Sequence, residues 1–135
     1  MNWGRIRAEE QVFQKLLDPS WVNRDGTWLY VYNPKGEHEF TLQFDLSRHP
    51  YAMPRVCVDR MLYDFNGNAL DCPLMSYHTL DPIDGKTQIC HMSPLDWNST
   101  ISIWFVYLRC SAWLDAYLYH LDTGTPIDYF LKHRT

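Results

Sequence analysis

The chain has 135 residues and a formal net charge of −4, with 46% apolar and 21% charged residues. That length suits one domain over residues 1–135, and the apolar content is enough for a core, which excludes a disordered chain. The acidic balance argues against a nucleic-acid binder, which would carry a basic face. The longest apolar run, Ile103 to Leu108, is far shorter than the ~20 residues of a membrane span. Because the first residues do not resemble a secretory signal, we expect a cytoplasmic protein without membrane association.

The four cysteines, Cys57, Cys72, Cys90 and Cys110, show no C-x-x-C spacing. Without an export signal they are expected to be reduced thiols. Cys57 lies in V-C-V and Cys110 lies in a helical pattern, so both are predicted to be small buried hydrophobes. Cys72 lies in a loop, and Cys90 is set apart by the segment around it.

An amphipathic helix is predicted over Trp3–Leu17. Apolar residues such as Ile6 and Phe13 share one face, and charged residues such as Glu9 fall near the other. Asp18-Pro19 ends the helix, because the residue before a proline is disfavoured in the helical conformation. We expect this helix mainly to pack against the rest of the domain.

Two strands with alternating or β-branched patterns are predicted next, over Thr27–Tyr32 and Phe40–Leu46. A turn over Asn33–Gly36 joins them, so the sheet is expected to be antiparallel. Asp25-Gly26 is a candidate for an earlier turn, which would follow a short strand at Trp21-Val22.

Regular structure weakens from Asp59 to Lys86, and a loop of this length is usually functional or holds a small strand or two. The helix predicted over Ile101–Leu121 is apolar around most of its circumference and is therefore expected to be largely buried. Gly124 is predicted to cap it in the left-handed conformation, and Pro126–His133 is predicted to be a short terminal helix.

Cys90 lies between an Asp84-Gly85 turn with Ile89 on one side and Trp97 on the other. A cysteine on a non-regular segment, held by an apolar neighbour and a tryptophan, can be fixed in place and still accessible. A nucleophilic thiol needs both properties, since the thiolate is the reactive form and apolar burial suppresses it.

This segment resembles the active-site segment of ubiquitin-conjugating enzymes, in which a D-G-x-I-C unit precedes a tryptophan and a helix start. The matching residues are Asp84, Gly85, Ile89, Cys90, Trp97 and Thr100-Ile101-Ser102-Ile103. Residues 50–58, P-Y-A-M-P-R-V-C-V, are similar to the proline-rich crossing Y-P-x-x-P-P-x-V of that family, with a strand resuming at Val56–Val58. The ending W-L-D-A-Y-L-Y-H-L-D-T-G looks most like the bacterial members found in antiphage and ubiquitin-like operons.

The resemblance implies an α+β domain of the UBC-like fold, with a small antiparallel meander of three or four strands and N- and C-terminal helices packed on it. It implies that Cys90 accepts the C-terminus of a ubiquitin-like protein as a thioester and transfers it to an amine of a target protein, in a role such as antiphage defence. The implied partners are an activating enzyme, the ubiquitin-like protein and the target, with no cofactor and no metal. In the family, the first helix docks the activating enzyme.

The chain departs from the family upstream of the cysteine, where a His-Pro-Asn unit is usual. Here Thr-Leu follows His78, so oxyanion support is expected from His78, Thr79, a backbone N–H or Asn98, or is absent. His91 adjoins Cys90 and is a candidate for tuning the ionisation of the thiol or deprotonating the incoming amine. The alternative for His91 is an exposed bystander, because adjacent residues on an extended segment point opposite ways.

Two acidic residues, Asp96 and Asp122, are candidates for orienting an incoming lysine, although most such carboxylates are simply solvated. Trp97 is expected to brace the Cys90 loop against the following helix.

Three other functions compete with catalysis of conjugation. One is an inert binding module of the same fold, which recruits a ubiquitin-like protein or a signalling partner. A zinc site built from Cys72, His78, Cys90 and His91 is the second, although their gaps match no common finger spacing. The third is an unrelated Cys-His hydrolase, for which the chain shows no local signature.

Overall fold

The first helix, α1, runs over Trp3–Leu16 in the computed structural model, which describes residues 2–133. The Oδ1 atom of Asn2 caps this helix by accepting the N–H of Arg5 at 3.1 Å. Ile6 and Phe13 are buried as predicted, but Glu9, predicted on the charged face, is buried with them. The ending at Leu16 agrees with the stop signal of the following proline.

One antiparallel sheet holds six strands within the described residues, in the order β1-β2-β3-β4-β6-β5. The strands are β1 (Val22–Asp25), β2 (Trp28–Lys35), β3 (His38–Asp45), β4 (Arg55–Val58), β5 (Thr79–Ile83) and β6 (Lys86–Ile89). The antiparallel α+β class is confirmed, whereas the expected count of three or four strands is too low. The β5–β6 hairpin accounts for much of the difference. Its strands are short and β5 contains Pro82, so neither shows clear alternation in the sequence.

Strand β2 continues through Asn33 to Lys35, where a turn was predicted. The Asn33 side chain is buried and its Nδ2 donates to the Tyr107 hydroxyl at 3.0 Å. Pro34 fits this strand because β1 is paired only as far as Val31, so no neighbouring strand on that side needs a proline N–H. The turn itself comes at Gly36, whose φ of +62° suits glycine.

Helix α2, Ile103–Thr123, packs on the apolar face of β2 and β3, as expected for the long apolar helix. Its Tyr107 and Tyr117 rings lie against Phe44 and Phe40, with centroids 6.5 and 6.4 Å apart. The helix starts two residues later than predicted because Ser102 is its N-cap, accepting the N–H of Phe105 at 3.1 Å. Gly124 ends it in the left-handed conformation, as predicted.

A short helix, α3, follows over Ile127–His133. It lies near the start of β5, since the N–H of Asp128 donates to the Ser76 carbonyl at 2.9 Å. None of the helices in the described part of the chain has the length and apolar character needed to cross a membrane.

Candidate functional site

The β5–β6 hairpin places Cys90 opposite His78. Asp84 and Gly85 form its turn with φ of +50° and +75°, a conformation suited to the twist of a two-residue hairpin. Thr79 pairs with Ile89, and one step further the N–H of Cys90 donates to the His78 carbonyl at 2.9 Å. Cys90 therefore lies just past the end of β6, off regular structure, as predicted.

The segment before β5 is held by three hydrogen bonds. The Trp113 indole donates to the Tyr77 carbonyl at 2.9 Å, Asp128 N–H donates to Ser76, and the Thr79 hydroxyl donates to the Cys72 carbonyl at 2.9 Å. These contacts fix a non-glycine residue, His78, at a φ of +50°. Such backbone conformations persist where the surrounding contacts determine them, and they are frequent at functional sites.

A cavity of about 240 Å³ opens at the Cys90 thiol. A second hollow of about 550 Å³ adjoins it and continues along the apolar residues Pro73, Leu74 and Met75. The two hollows share six lining residues: His78, Cys90, His91, Arg109, Asp128 and Lys132. Cys90 is half-buried, so its thiol is positioned and accessible at once.

His78, Asp128 and Lys132 form a chain of interacting polar groups in this cavity. Nε2 of His78 lies 2.6 Å from Oδ1 of Asp128, and Lys132 Nζ lies 3.0 Å from the other carboxylate oxygen. The hydrogen bonds from His78 and Lys132 lower the pKa of Asp128, so the carboxylate is ionised at neutral pH. Asp128 therefore accepts a hydrogen bond from the Nε2–H of His78. Thus, the fold brings together a thiol, an imidazole and a carboxylate.

Asp128 was not among the residues singled out from the sequence. It lies fifty residues from His78, on a short helix whose sequence carries no signature of a site. The one signal is its place in the first turn of that helix, where acidic residues are common for reasons unrelated to catalysis.

His91 lines the cavity but is 5% exposed, so the alternative of an exposed bystander is wrong. Its Nε2 donates to the Pro54 carbonyl at 2.9 Å, and its own carbonyl accepts Nε of Arg109 at 2.5 Å. Burial, aided by the charge of Arg109, lowers the pKa of His91, and the ring is neutral at pH 7. Nδ1 of His91 is buried with no hydrogen-bond partner among the described residues. These contacts tie the Cys90 loop to the start of β4.

The other candidates for oxyanion support lie less favourably. Thr79 is 2% exposed and its hydroxyl is bound to the Cys72 carbonyl. Asn98 is exposed, does not line either hollow, and accepts the N–H of Thr100 at 3.0 Å. Among the named side-chain candidates, only His78 lines both hollows with Cys90, whereas Thr79 lines the larger one alone.

The two acidic candidates are also outside the hollows at the thiol. Asp96 ends a short 3₁₀ helix, Pro94–Asp96, and lines a separate depression beside Phe105. Asp122 is exposed in the last turn of α2. Trp97 was expected to brace the Cys90 loop against the following helix. Its Nε1 instead donates to the Pro50 carbonyl at 3.0 Å.

Cys57 and Cys110 are buried, as predicted, and Cys72, in its loop, is exposed. Cys72 does not line the cavity with Cys90. Within residues 2–133, His, Cys, Asp and Glu side chains form no group of three or more that could hold a metal ion.

Comparisons of the chain with protein-family models, with curated proteins and with solved structures found no match. An accessible thiol beside an imidazole with a carboxylate partner can attack an acyl carbon and exchange protons with the reacting groups.

Proposed function

We propose that this chain is a ubiquitin-like-protein conjugating enzyme of the UBC-like fold, which carries its modifier as a thioester on Cys90. The observation that carries the proposal is the position of the thiol. Cys90 lies just past a β-hairpin, half-buried, at the junction of two hollows, with the hydrogen-bonded pair of His78 and Asp128 beside it. Inert binding modules need no such nucleophile.

The order of elements supports the same proposal. An N-terminal helix, four strands paired in sequence, a hairpin ending at the cysteine, and C-terminal helices follow one another as the resemblance requires. The proposed bacterial setting and the proposed role in antiphage defence rest only on the similarity of the C-terminal segment to bacterial members of the family.

Loading of Cys90 is a thioester exchange. The Cys90 sulfur attacks the carbonyl carbon of a modifier held as a thioester on an activating enzyme, and the thiolate of that enzyme leaves. A thiol that attacks and leaves about equally well is suited to this exchange, so a strongly acidic thiol is not required. The hollow along Pro73–Met75 provides an approach to Cys90 for the extended C-terminus of a modifier.

The test is to incubate the protein with ATP, an activating enzyme and its ubiquitin-like protein from the same genome. A covalent adduct that a reducing agent removes is expected on the wild type. Cys90→Ser should give an adduct that resists reduction, or none, and Cys72→Ser is the matched control that should leave the reducible adduct intact. A reducible adduct on Cys90→Ala would place the nucleophile elsewhere and favour a recruiting module.

A thiol hydrolase is the second candidate, because Cys90, His78 and Asp128 share one cavity and such groups serve cysteine hydrolases. The two functions differ in the acceptor. A conjugating enzyme loaded with an acyl group should form an amide when an amine is added. A hydrolase should release the carboxylate to water at a rate that added amine does not change.

A further inference from the structure

The hydrogen bond between His78 and Asp128 has a defined donor and a defined acceptor. Asp128 accepts from Nε2 of His78, so the neutral ring carries its hydrogen on Nε2 and its lone pair on Nδ1. The His78 side chain is 31% exposed and lines both hollows with Cys90. A lone pair can accept a proton but cannot donate to an oxyanion. The arrangement therefore favours a role for His78 as a base over a role as a hydrogen-bond donor to the oxyanion.

We propose that His78 is the base that deprotonates the acceptor amine during transfer, and that Asp128 is the residue that positions it. This inference rests on the proposed function, and it names a residue and a proton path that the function alone does not require. The carboxylate holds the ring in the tautomer that leaves Nδ1 basic and stabilises the imidazolium formed when Nδ1 takes the proton.

The charged residues around His78 and Asp128 indicate that transfer needs a base to deprotonate the acceptor amine. Two cations, Lys132 and Arg109, line both hollows at the Cys90 thiol, and their charges disfavour an ammonium that approaches it. The one carboxylate among the shared lining residues, Asp128, already binds His78 and Lys132 through its two oxygens. The amine is therefore favoured in its neutral form, and the proton it loses needs an acceptor nearby.

His91 is a poorer base for this step. Its Nε2 is committed to the Pro54 carbonyl, and its Nδ1 is enclosed. A charge placed on His91 would also be buried next to Arg109, which the lowered pKa of the ring reflects. His78 is partly exposed, and a carboxylate beside it would stabilise a charge on its ring.

The incoming ammonium gives one proton to Nδ1 of His78, and its nitrogen lone pair attacks the thioester carbonyl carbon. The carbon–sulfur bond then breaks, and the Cys90 sulfur leaves with the electron pair. The second proton lost as the amide forms returns the thiolate to the thiol. His78 releases its proton to solvent before the next cycle.

The test uses Cys72→Ser protein loaded on Cys90 with a synthetic acetyl-glycylglycine thioester of mercaptoethanesulfonate. Discharge is followed by mass spectrometry with lysine, which is mostly protonated at neutral pH, and with hydroxylamine, which is mostly neutral. In this background, His78→Ala should slow discharge to lysine by about a hundredfold or more, and Asp128→Asn by about tenfold or more. Discharge to hydroxylamine and the rate of loading should change much less. His38→Ala and Asp25→Asn, exposed residues outside the cavity, are the matched controls and should behave as the parent.

An independent readout is the tautomer of His78, measured by ¹⁵N NMR of the imidazole in unloaded protein. The parent should show hydrogen on Nε2, and Asp128→Asn should lose this preference. Hydrogen on Nδ1 in the parent, or equal slowing of lysine and hydroxylamine discharge in the variants, would overturn the inference. Failure of the parent to transfer a loaded acyl group to any amine would instead overturn the proposed function.

Discussion

At the scale of single residues, the cysteines show how environment separates one thiol from another. Burial raises the pKa of Cys57 to about 11, and full burial raises the pKa of Cys110 further still. Neither thiol forms a thiolate at neutral pH, and neither is accessible. Cys72 and Cys90 remain the thiols open to solvent.

We therefore expect N-ethylmaleimide to modify Cys72 and Cys90 in the native protein at pH 7, and to modify Cys57 and Cys110 only after unfolding. Peptide mass spectrometry with and without guanidinium measures the difference. Native modification of Cys110 at a rate similar to that of Cys90 would show that α2 opens readily.

Trp113 links the core to the site, because its ring is 1% exposed and its indole donates to the carbonyl beside His78. Trp113→Ala is expected to cost about 3–5 kcal/mol, from lost burial and the cavity that remains. Urea unfolding at neutral pH measures the change. Trp3→Ala, on a ring 40% exposed, is the control and should cost about 0.5 kcal/mol. A loss under about 1 kcal/mol at Trp113 would place its ring at the surface.

At the scale of the elements, the ends of α2 determine where the following chain goes. Ser102 caps its start and Gly124 ends it, with φ of +75° at the glycine. Because the chain turns at Gly124, α3 returns to the segment before β5 and brings Asp128 to His78. The cap of one helix therefore helps to build the candidate site.

Gly124→Ala should destabilise the protein by about 1–2 kcal/mol, the cost of a left-handed conformation for an L-residue. The added methyl would lie 3.6 Å from the Phe65 ring, an ordinary contact, so backbone strain is the main term. Gly4→Ala is the opposite case, since Gly4 lies inside α1 with open space around it, and it should stabilise by about 0.5 kcal/mol. Thermal unfolding of both variants measures the two changes in stability. Changes of the same sign and size would contradict the prediction.

At the scale of the whole molecule, one buried carboxylate joins three parts of the fold. Glu9 of α1 accepts the N–H of Ile103, at the start of α2, at 2.6 Å, and it pairs with His49 from the segment between β3 and β4. Arg5 lies 3.3 Å from the same carboxylate and donates to the Ser99 carbonyl at 2.8 Å. Burial alone would raise the pKa of Glu9, but the bonds and charges of these partners outweigh it and hold the pKa below its usual value.

A lowered native pKa means that ionised Glu9 favours the folded state. This contribution is complete above the ordinary glutamate pKa of about 4.3 and is lost as pH falls through the lower native value. Glu9→Gln should therefore unfold more easily than the wild type at pH 7, by about 1–3 kcal/mol. The gap should shrink over the acid range, as pH falls below about 4.3. Denaturant unfolding across this range measures it, and a gap that does not change with pH would contradict the assignment.

Much of the fold was predictable from the sequence, because local patterns decide helices, turns and the thiol environments. The long apolar helix, the Asp84-Gly85 turn and the left-handed cap at Gly124 are all properties of short stretches, and all are confirmed. The same is true of buried Cys57 and Cys110, whose neighbours in sequence already indicate strand and helix interiors.

The tertiary structure alone decided the features that depend on partners distant in the chain. Glu9 is buried on a face that its sequence marks as polar, because Ile103, His49 and Arg5 satisfy its charge. Asn33 extends a strand through an expected turn, because Tyr107 of α2 binds its side chain.

The residues of the candidate site also fall into those that the sequence could identify and those that only tertiary contacts reveal. Cys90 was identifiable from the sequence because a turn and an apolar neighbour mark the segment of the thiol. His78 was singled out through the resemblance, from its place upstream of the cysteine. Asp128 was not, since its role depends on α3 folding back onto the chain before β5, fifty residues from His78. Local sequence specifies which groups can react, whereas only long-range packing determines which of them meet, because those contacts form between residues that no local pattern connects.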